Sequence, residues 1–277
     1  MKNKSSVVRT LFNGSLMGIA DAIPGVSGAT IALILGIYEQ LIHSISFFFS
    51  NVFNLKKLFK SQELRFLVNL YVGVFITLYI FLKIIQGLLK NNEVQLFSYF
   101  IGLILASIFL IFSRNKEIVL KKLHFMILGF LVGALVLSIN IITKNHSTAM
   151  IFISGVAAIS AMILPGISGA YVLLMLNQYD FIANALVNLN FNVVLVFALG
   201  VILGIFFMSK ILNWLLEKHH DATLTFLIGL MIGGLRTPLQ RINGDYKSLV
   251  IFGFLGIVTV LLISLLQRKK EEKHKKR

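Results

Sequence analysis

Residues 23–38 read IPGVSGATIALILGIY, and 141 positions later residues 164–179 read LPGISGAYVLLMLNQY. Proline removes a backbone donor and clashes with the preceding turn, while glycine admits positive φ, so each Pro-Gly-x-Ser-Gly run should end one helix and begin another. Both runs interrupt long apolar stretches, residues 11–49 and 150–189. The arms ahead of Pro24 and Pro165 hold about 14 residues, or about 21 Å of helix, too short to cross a hydrocarbon layer about 30 Å thick. Each stretch is therefore expected to be a re-entrant helical hairpin, with a pair of full spans as the alternative.

The rest of the chain sets this break in a membrane. Of 277 residues, 57% are hydrophobic and 13% charged, with a mean hydropathy of +0.87. Soluble domains carry about 25% charged residues, so a soluble globular enzyme is excluded. The chain has no cysteine, which removes disulfides, thiolate nucleophiles and cysteine-held metals. Six further apolar runs are long enough to span: 66–89, 94–112, 125–143, 191–212, 224–239 and 249–266. The net charge of +15 would suit nucleic acid, but with a cytoplasmic N-terminus 20 of the 26 basic residues fall on one side of the membrane. That asymmetry assigns both termini to the cytoplasm and makes residues 267–277 a basic cytoplasmic tail. Residues 1–22 loosely resemble a signal peptide, but the same apolar arm recurs at residue 150, so the segment is retained.

Three collinear matches mark an internal repeat. The broken segments align at an offset of 141, FIGL (100–103) with LIGL (227–230) at 127, and ILGFL (127–131) with IFGFL (251–255) at 124. Residues 1–145 and 146–266 each hold one hairpin and three crossings. An odd number of crossings starts the second unit on the opposite side. The expected fold is an all-α polytopic membrane protein with an inverted-topology repeat, a transporter architecture whose broken helices meet near the midplane.

Broken helices leave backbone amides without intrahelical partners, and such backbone at membrane depth must be buried in protein or line a polar cavity. Ser27 and Ser168 stand at cap-like positions. Two helix starts converging from opposite sides would cradle an anion, although local kinks satisfied by their own serines remain an alternative. Asp21, three residues before Pro24, is an ionisable group near the midplane, suited to proton coupling or hairpin geometry. Its repeat partner is Met162. Glu39 and Asp180 read as interfacial anchors, Lys83 as a snorkelling side chain, and Arg236 either as a bidentate phosphate ligand or as a snorkelling one. The six histidines show no metal-ligand spacing, and no Ser/His/Asp grouping appears. No metal, cofactor or enzymatic activity is expected.

GSLMGIADAIPGVSGATIALILGIYE (14–39), together with LPGISGAYVLLMLNQYD (164–180), closely resembles the bacterial polyprenyl-phosphate transporter family, over essentially the whole chain. The resemblance implies a flippase of the bacterial cell membrane that returns undecaprenyl phosphate, the lipid carrier of cell-wall precursors, from the outer to the inner leaflet. On that reading Gly25, Ser27, Gly28, Thr30, Gly166, Ser168 and Gly169 bind the phosphate, Arg236 captures it from outside, and Asp21 couples protonation to rocking of the halves. Two departures from the family pattern are Gly28-Ala29 in place of Gly-Gly and Thr237-Pro238-Leu239 where aromatic residues usually follow the arginine. An inorganic-anion channel or exchanger is the main rival. An intramembrane lipid-phosphate enzyme would need a nucleophile with a base, or a metal site.

Overall fold

The structure, a computed structural model, describes residues 7–23, 26–136 and 145–275. These form helices without strands, as apolar segments in lipid must when each backbone group has to find its partner within its own segment. The first broken segment comprises α1 (Val7–Asp21), α2 (Gly28–Ile34) and α3 (Tyr38–Ser50). The second comprises α8 (Thr148–Ile163), α9 (Gly169–Met175) and α10 (Tyr179–Val187), with α9 and α10 meeting at 111°. Both turn at the same place. Gly36 (φ +68°) and Asn177 (φ +53°) are left-handed, and the next amide reaches back five residues: Ile37 N–H to Ala32 O at 2.9 Å, Gln178 N–H to Leu173 O at 2.8 Å. This is the Schellman ending, and glycine and asparagine are the residues that tolerate it.

Between the broken segments lie α4 (Leu55–Lys60), α5 (Gln62–Arg114), α6 (Lys116–Lys121) and α7 (Leu123–Val136). The second broken segment is followed by α11 (Phe191–Lys218), α12 (His220–Gly234), α13 (Arg236–Arg241) and α14 (Tyr246–Lys275). The expected spans 66–89 and 94–112 are not separated by a loop: α5 is helical throughout except at Asn92 (φ −141°, ψ 36°), where two helices join at a kink. No proline intervenes, and the polar Lys90–Glu93 turn remains compatible with helix. The expected span 125–143 begins two residues earlier, and its last part lies outside the described residues. The run 191–212 extends to Lys218, and Lys210 sits within the helix with its Nζ 4.5 Å from the Phe206 ring centroid. The run 224–239 divides at Leu235 into α12 and α13. The backbone of α14 runs on through most of the basic tail, whose lysines and glutamates are good helix formers.

Helix α12 is at the centre of the described residues: the span it forms with α13 is 72% buried, against 11% for α11 and 22% for Tyr246–Leu265 of α14. Leu227, Ile228, Leu230 and Met231 are inaccessible, whereas Leu195, Leu199 and Ile202 of α11 face outward as a lipid-exposed stripe. In lipid, helices associate through close backbone approach at small residues, and here the same approaches occur twice. Gly14 lies on the Leu70 carbonyl and Gly73 on that of Leu11; at offsets of 141 and 127, Gly155 lies on Phe197 and Gly200 on Phe152. Gly102 lies on Gly253 and Gly256 on Tyr99; at 127, Gly229 lies on Met126 and Gly129 on Phe226. By contact, then, α7 and α14 correspond at 127 rather than at the 124 of the ILGFL/IFGFL match. Each packs against a helix of the other half, α7 on α12 and α14 on α5.

Candidate functional site: the junction of two broken helices

The two breaks meet. Gly166 donates its N–H to Thr30 Oγ1 at 2.9 Å, Ser27 Oγ donates to the Leu164 carbonyl at 3.5 Å, and Tyr38 donates to the Ile163 carbonyl at 3.2 Å. Three side chains of the first break thus hold three backbone groups of the second. Thr30, Ser27 and Tyr38 are buried. On its far side the second break rests on α12: Gly166, left-handed at φ +89°, has the Met231 Cα 2.7 Å from where a Cβ would stand, and Gly234 is pressed against the Gly166 carbonyl. No residue with a Cβ fits at Gly166 without moving that backbone.

Local geometry differs from simple capping. Ser27 (φ −121°, ψ 126°) and Ser168 (φ −101°, ψ 128°) precede α2 and α9 in extended conformation, as caps do, yet neither hydroxyl caps its helix. At α2 a different group does so: the Gly28 N–H donates to Asp21 Oδ1 at 2.7 Å, across the break from the end of α1. A Cβ at Gly28 would collide with that carboxylate, so a larger residue there would push the Asp21 side chain aside. Asp21 also lines a cavity of about 110 Å³ with Tyr71 and Met162 among its walls. Asp21 and Met162, which align at the offset of 141, thus line the same cavity.

Of the residues singled out from sequence, Asp21, Ser27, Gly28, Thr30 and Gly166 converge on this junction. Gly169 starts α9 and packs closely on the Ala158 carbonyl, and Ser168 is buried beside it. Pro24 and Gly25 lie outside the described residues. Arg236 opens α13 two residues beyond Gly234, with its side chain exposed. Two polar clusters escaped the sequence reading. Glu39 accepts a hydrogen bond from His220 Nε2 at 2.8 Å, joining α3 to α12. Gln178, fully buried, donates to the Asn145 carbonyl at 2.9 Å and meets His146 Nδ1 at 3.0 Å, tying the α9–α10 bend to the entry of α8.

Neither amide that the two breaks present here is open. A carboxylate occupies the Gly28 amide and a hydroxyl occupies the Gly166 amide. Any further acceptor would have to displace one of them, and hydrogen bonds to a charged acceptor are worth about 1.5–3 kcal/mol each.

Comparison with known proteins gives this geometry a family. A polyprenyl-phosphate transporter of Vibrio cholerae is 36% identical over 235 residues, covering 82% of this chain and 75% of that protein. A polyprenyl-phosphate transporter of Staphylococcus aureus is 30% identical over 283 residues, covering 94% and 97%. No solved structure matches. The family described as VCA0040-like, undecaprenyl phosphate translocase-like, matches residues 17–248. With five or six helices among the described residues long and apolar enough to cross a membrane, and with both breaks inside the matched region, this chain is a multi-pass membrane protein belonging to that family.

Proposed function

We propose that this protein moves polyprenyl phosphate, with undecaprenyl phosphate as the cell-wall carrier, from the outer to the inner leaflet of the bacterial cytoplasmic membrane. The observation that carries the reading is the interlocking of the two breaks, with an internal carboxylate already on the Gly28 amide. A lipid phosphate is a compact anion on a long apolar tail; its head must be sheltered at depth while the tail stays in lipid. Backbone amides and hydroxyls of Gly25, Ser27, Gly28, Thr30, Gly166, Ser168 and Gly169 would hold it without placing a full positive charge in the bilayer. Arg236, exposed beyond the junction, would collect the phosphate from the outer side.

Asp21 supplies the coupling. With the two halves inverted and both termini cytoplasmic, a proton arriving from outside neutralises the carboxylate and releases the Gly28 N–H to a phosphate oxygen. Rocking of the halves then opens the junction inward, where loss of the proton restores the Asp21–Gly28 bond and expels the phosphate. Proton and lipid therefore move in the same direction. The small cavity beside Asp21 and Tyr71 has room for the water such a path requires.

The test is reconstitution in liposomes, following a fluorescent short-chain polyprenyl phosphate between leaflets, with chloride flux measured in parallel. Transport driven by an inward proton gradient, and made indifferent to that gradient by Asp21→Asn, is the expected result. Chloride flux without lipid movement would establish the rival inorganic-anion reading.

A further inference from the structure

Beside the junction lies a second, larger feature. A groove of about 550 Å³ opens between α7, α11 and α12, within the range of about 300–1,000 Å³ that small-molecule sites occupy. Its walls include Leu128, Leu215 and Phe226; half-buried Leu164 lines it too, and the exposed Lys122 and His219 place its mouth at the surface. Leu164 is the residue whose carbonyl accepts from Ser27, so the groove runs from a basic mouth to the second break. Lys122 is exposed, with its Nζ 6.0 Å from the Phe125 ring centroid. It follows Lys116 and Lys121 of α6, against which only Glu117 is set in that helix. His219 closes α11 and stands edge-on to Trp214 at 5.3 Å.

We infer that this groove is a binding site for an isoprenoid phosphate monoester, its apolar tail along Leu128, Leu215 and Phe226 and its phosphate at Lys122 and His219. The inference rests on the lipid reading above and adds the place where the lipid is held before or after the junction. The charge arrangement favours this occupant over neutral lipid. An apolar trough with a lysine at its mouth matches a ligand with one doubly acidic head and one long tail, and a phosphate can take hydrogen bonds from the Lys122 ammonium and from a ring N–H of His219. The trough also leads to the helix break, which gives the tail a continuous apolar wall while the head travels.

The experiment uses the full chain in phosphatidylethanolamine–phosphatidylglycerol vesicles and geranylgeranyl phosphate carrying a photoreactive diazirine in its tail. Labelled peptides are expected to contain Leu128, Leu215 or Phe226. Unlabelled geranylgeranyl phosphate should displace the probe, whereas geranylgeraniol or added phosphatidylglycerol should not. Lys122→Gln should weaken that competition about tenfold, the scale of one charge-assisted hydrogen bond, and Leu215→Trp should abolish labelling in the groove. Because Lys122 is exposed, its variant keeps the test decisive if the tryptophan variant fails to fold. Labelling elsewhere, equal displacement by phosphatidylglycerol, or an unchanged Lys122→Gln variant would overturn the inference. If the wild type still moves geranylgeranyl phosphate between leaflets in that event, only the groove assignment falls; a wild type that neither moves nor is labelled by it overturns both.

Discussion

Replacing Thr30 by valine keeps the shape of the side chain and removes the one atom that accepts from Gly166. Thr30 is 2% exposed and its Oγ1 is 2.9 Å from the Gly166 nitrogen, so no water takes its place readily. An orphaned buried donor costs about 1–3 kcal/mol. If the breaks part during transport and Gly166 then reaches water or substrate, that cost falls on the interlocked state alone. The balance between interlocked and parted forms would shift about 5- to 150-fold. The chain lacks cysteine, which makes a single thiol at Ile167, 3% exposed within the second break, a clean reporter. In an Ile167→Cys background, thiol labelling limited by opening should accelerate by that factor with Thr30→Val and return to the parent rate with Thr30→Ser, which retains the oxygen. Parent-rate labelling with Thr30→Val, or equal acceleration with Thr30→Ser, would refute the idea that this hydrogen bond holds the two breaks together.

Other positions give sharper or weaker responses. Gly166→Ala combines a left-handed φ with a backbone collision at Met231, and should lower the melting temperature in detergent well beyond Gly36→Ala, whose φ is also positive but whose Cβ meets nothing within 4 Å; the latter costs about 1–2 kcal/mol. Tyr38→Phe leaves the Ile163 carbonyl without its 3.2 Å donor and should destabilise by about 1 kcal/mol, read as a melting shift without loss of insertion. Glu39→Gln breaks an exposed pair with His220 and should change stability by less than about 1 kcal/mol, with transport retained; a large loss would assign that pair a role in the transport cycle. With Asp21→Asn the amide can still donate to a side-chain oxygen, so the fold should persist while the response of transport to a proton gradient disappears.

The breaks were legible because their chemistry is local. Proline and glycine dictate where a helix stops, and two copies of one run cannot be mistaken for an ordinary kink. The turn at Gly36 was equally local and went unread, although its counterpart is Asn177, the other residue that accepts a left-handed ending. Span limits were read less well, because charged residues were taken as ends. Helix α11 runs past its expected end to Lys218, and a charge need not end a helix: the long side chain of Lys210, inside the expected span, rests on an aromatic ring. What the breaks do to each other was beyond reach. Thr30 and Gly166 are 136 positions apart, and no pattern in either run says that a hydroxyl of one satisfies an amide of the other. The serines illustrate the same limit. Sequence placed them correctly as the residues before α2 and α9, but neither hydroxyl caps its helix, and the first amide of α2, that of Gly28, is held by the carboxylate of Asp21.

The exchange of third helices between the halves has a consequence for how the molecule is made. Helix α7 finds the surface on which Gly129 rests only when α12, with Phe226, emerges almost a hundred residues later. At synthesis rates of about 5–20 residues per second, that glycine face waits about 5–20 s in the bilayer with nothing but lipid or an insertion factor against it. The N-terminal half cannot complete its own packing, and neither can the C-terminal half, since α14 must come back to α5. Assembly is thus a closing step made after the whole chain has entered the membrane, and two separately produced halves should mature only when made together.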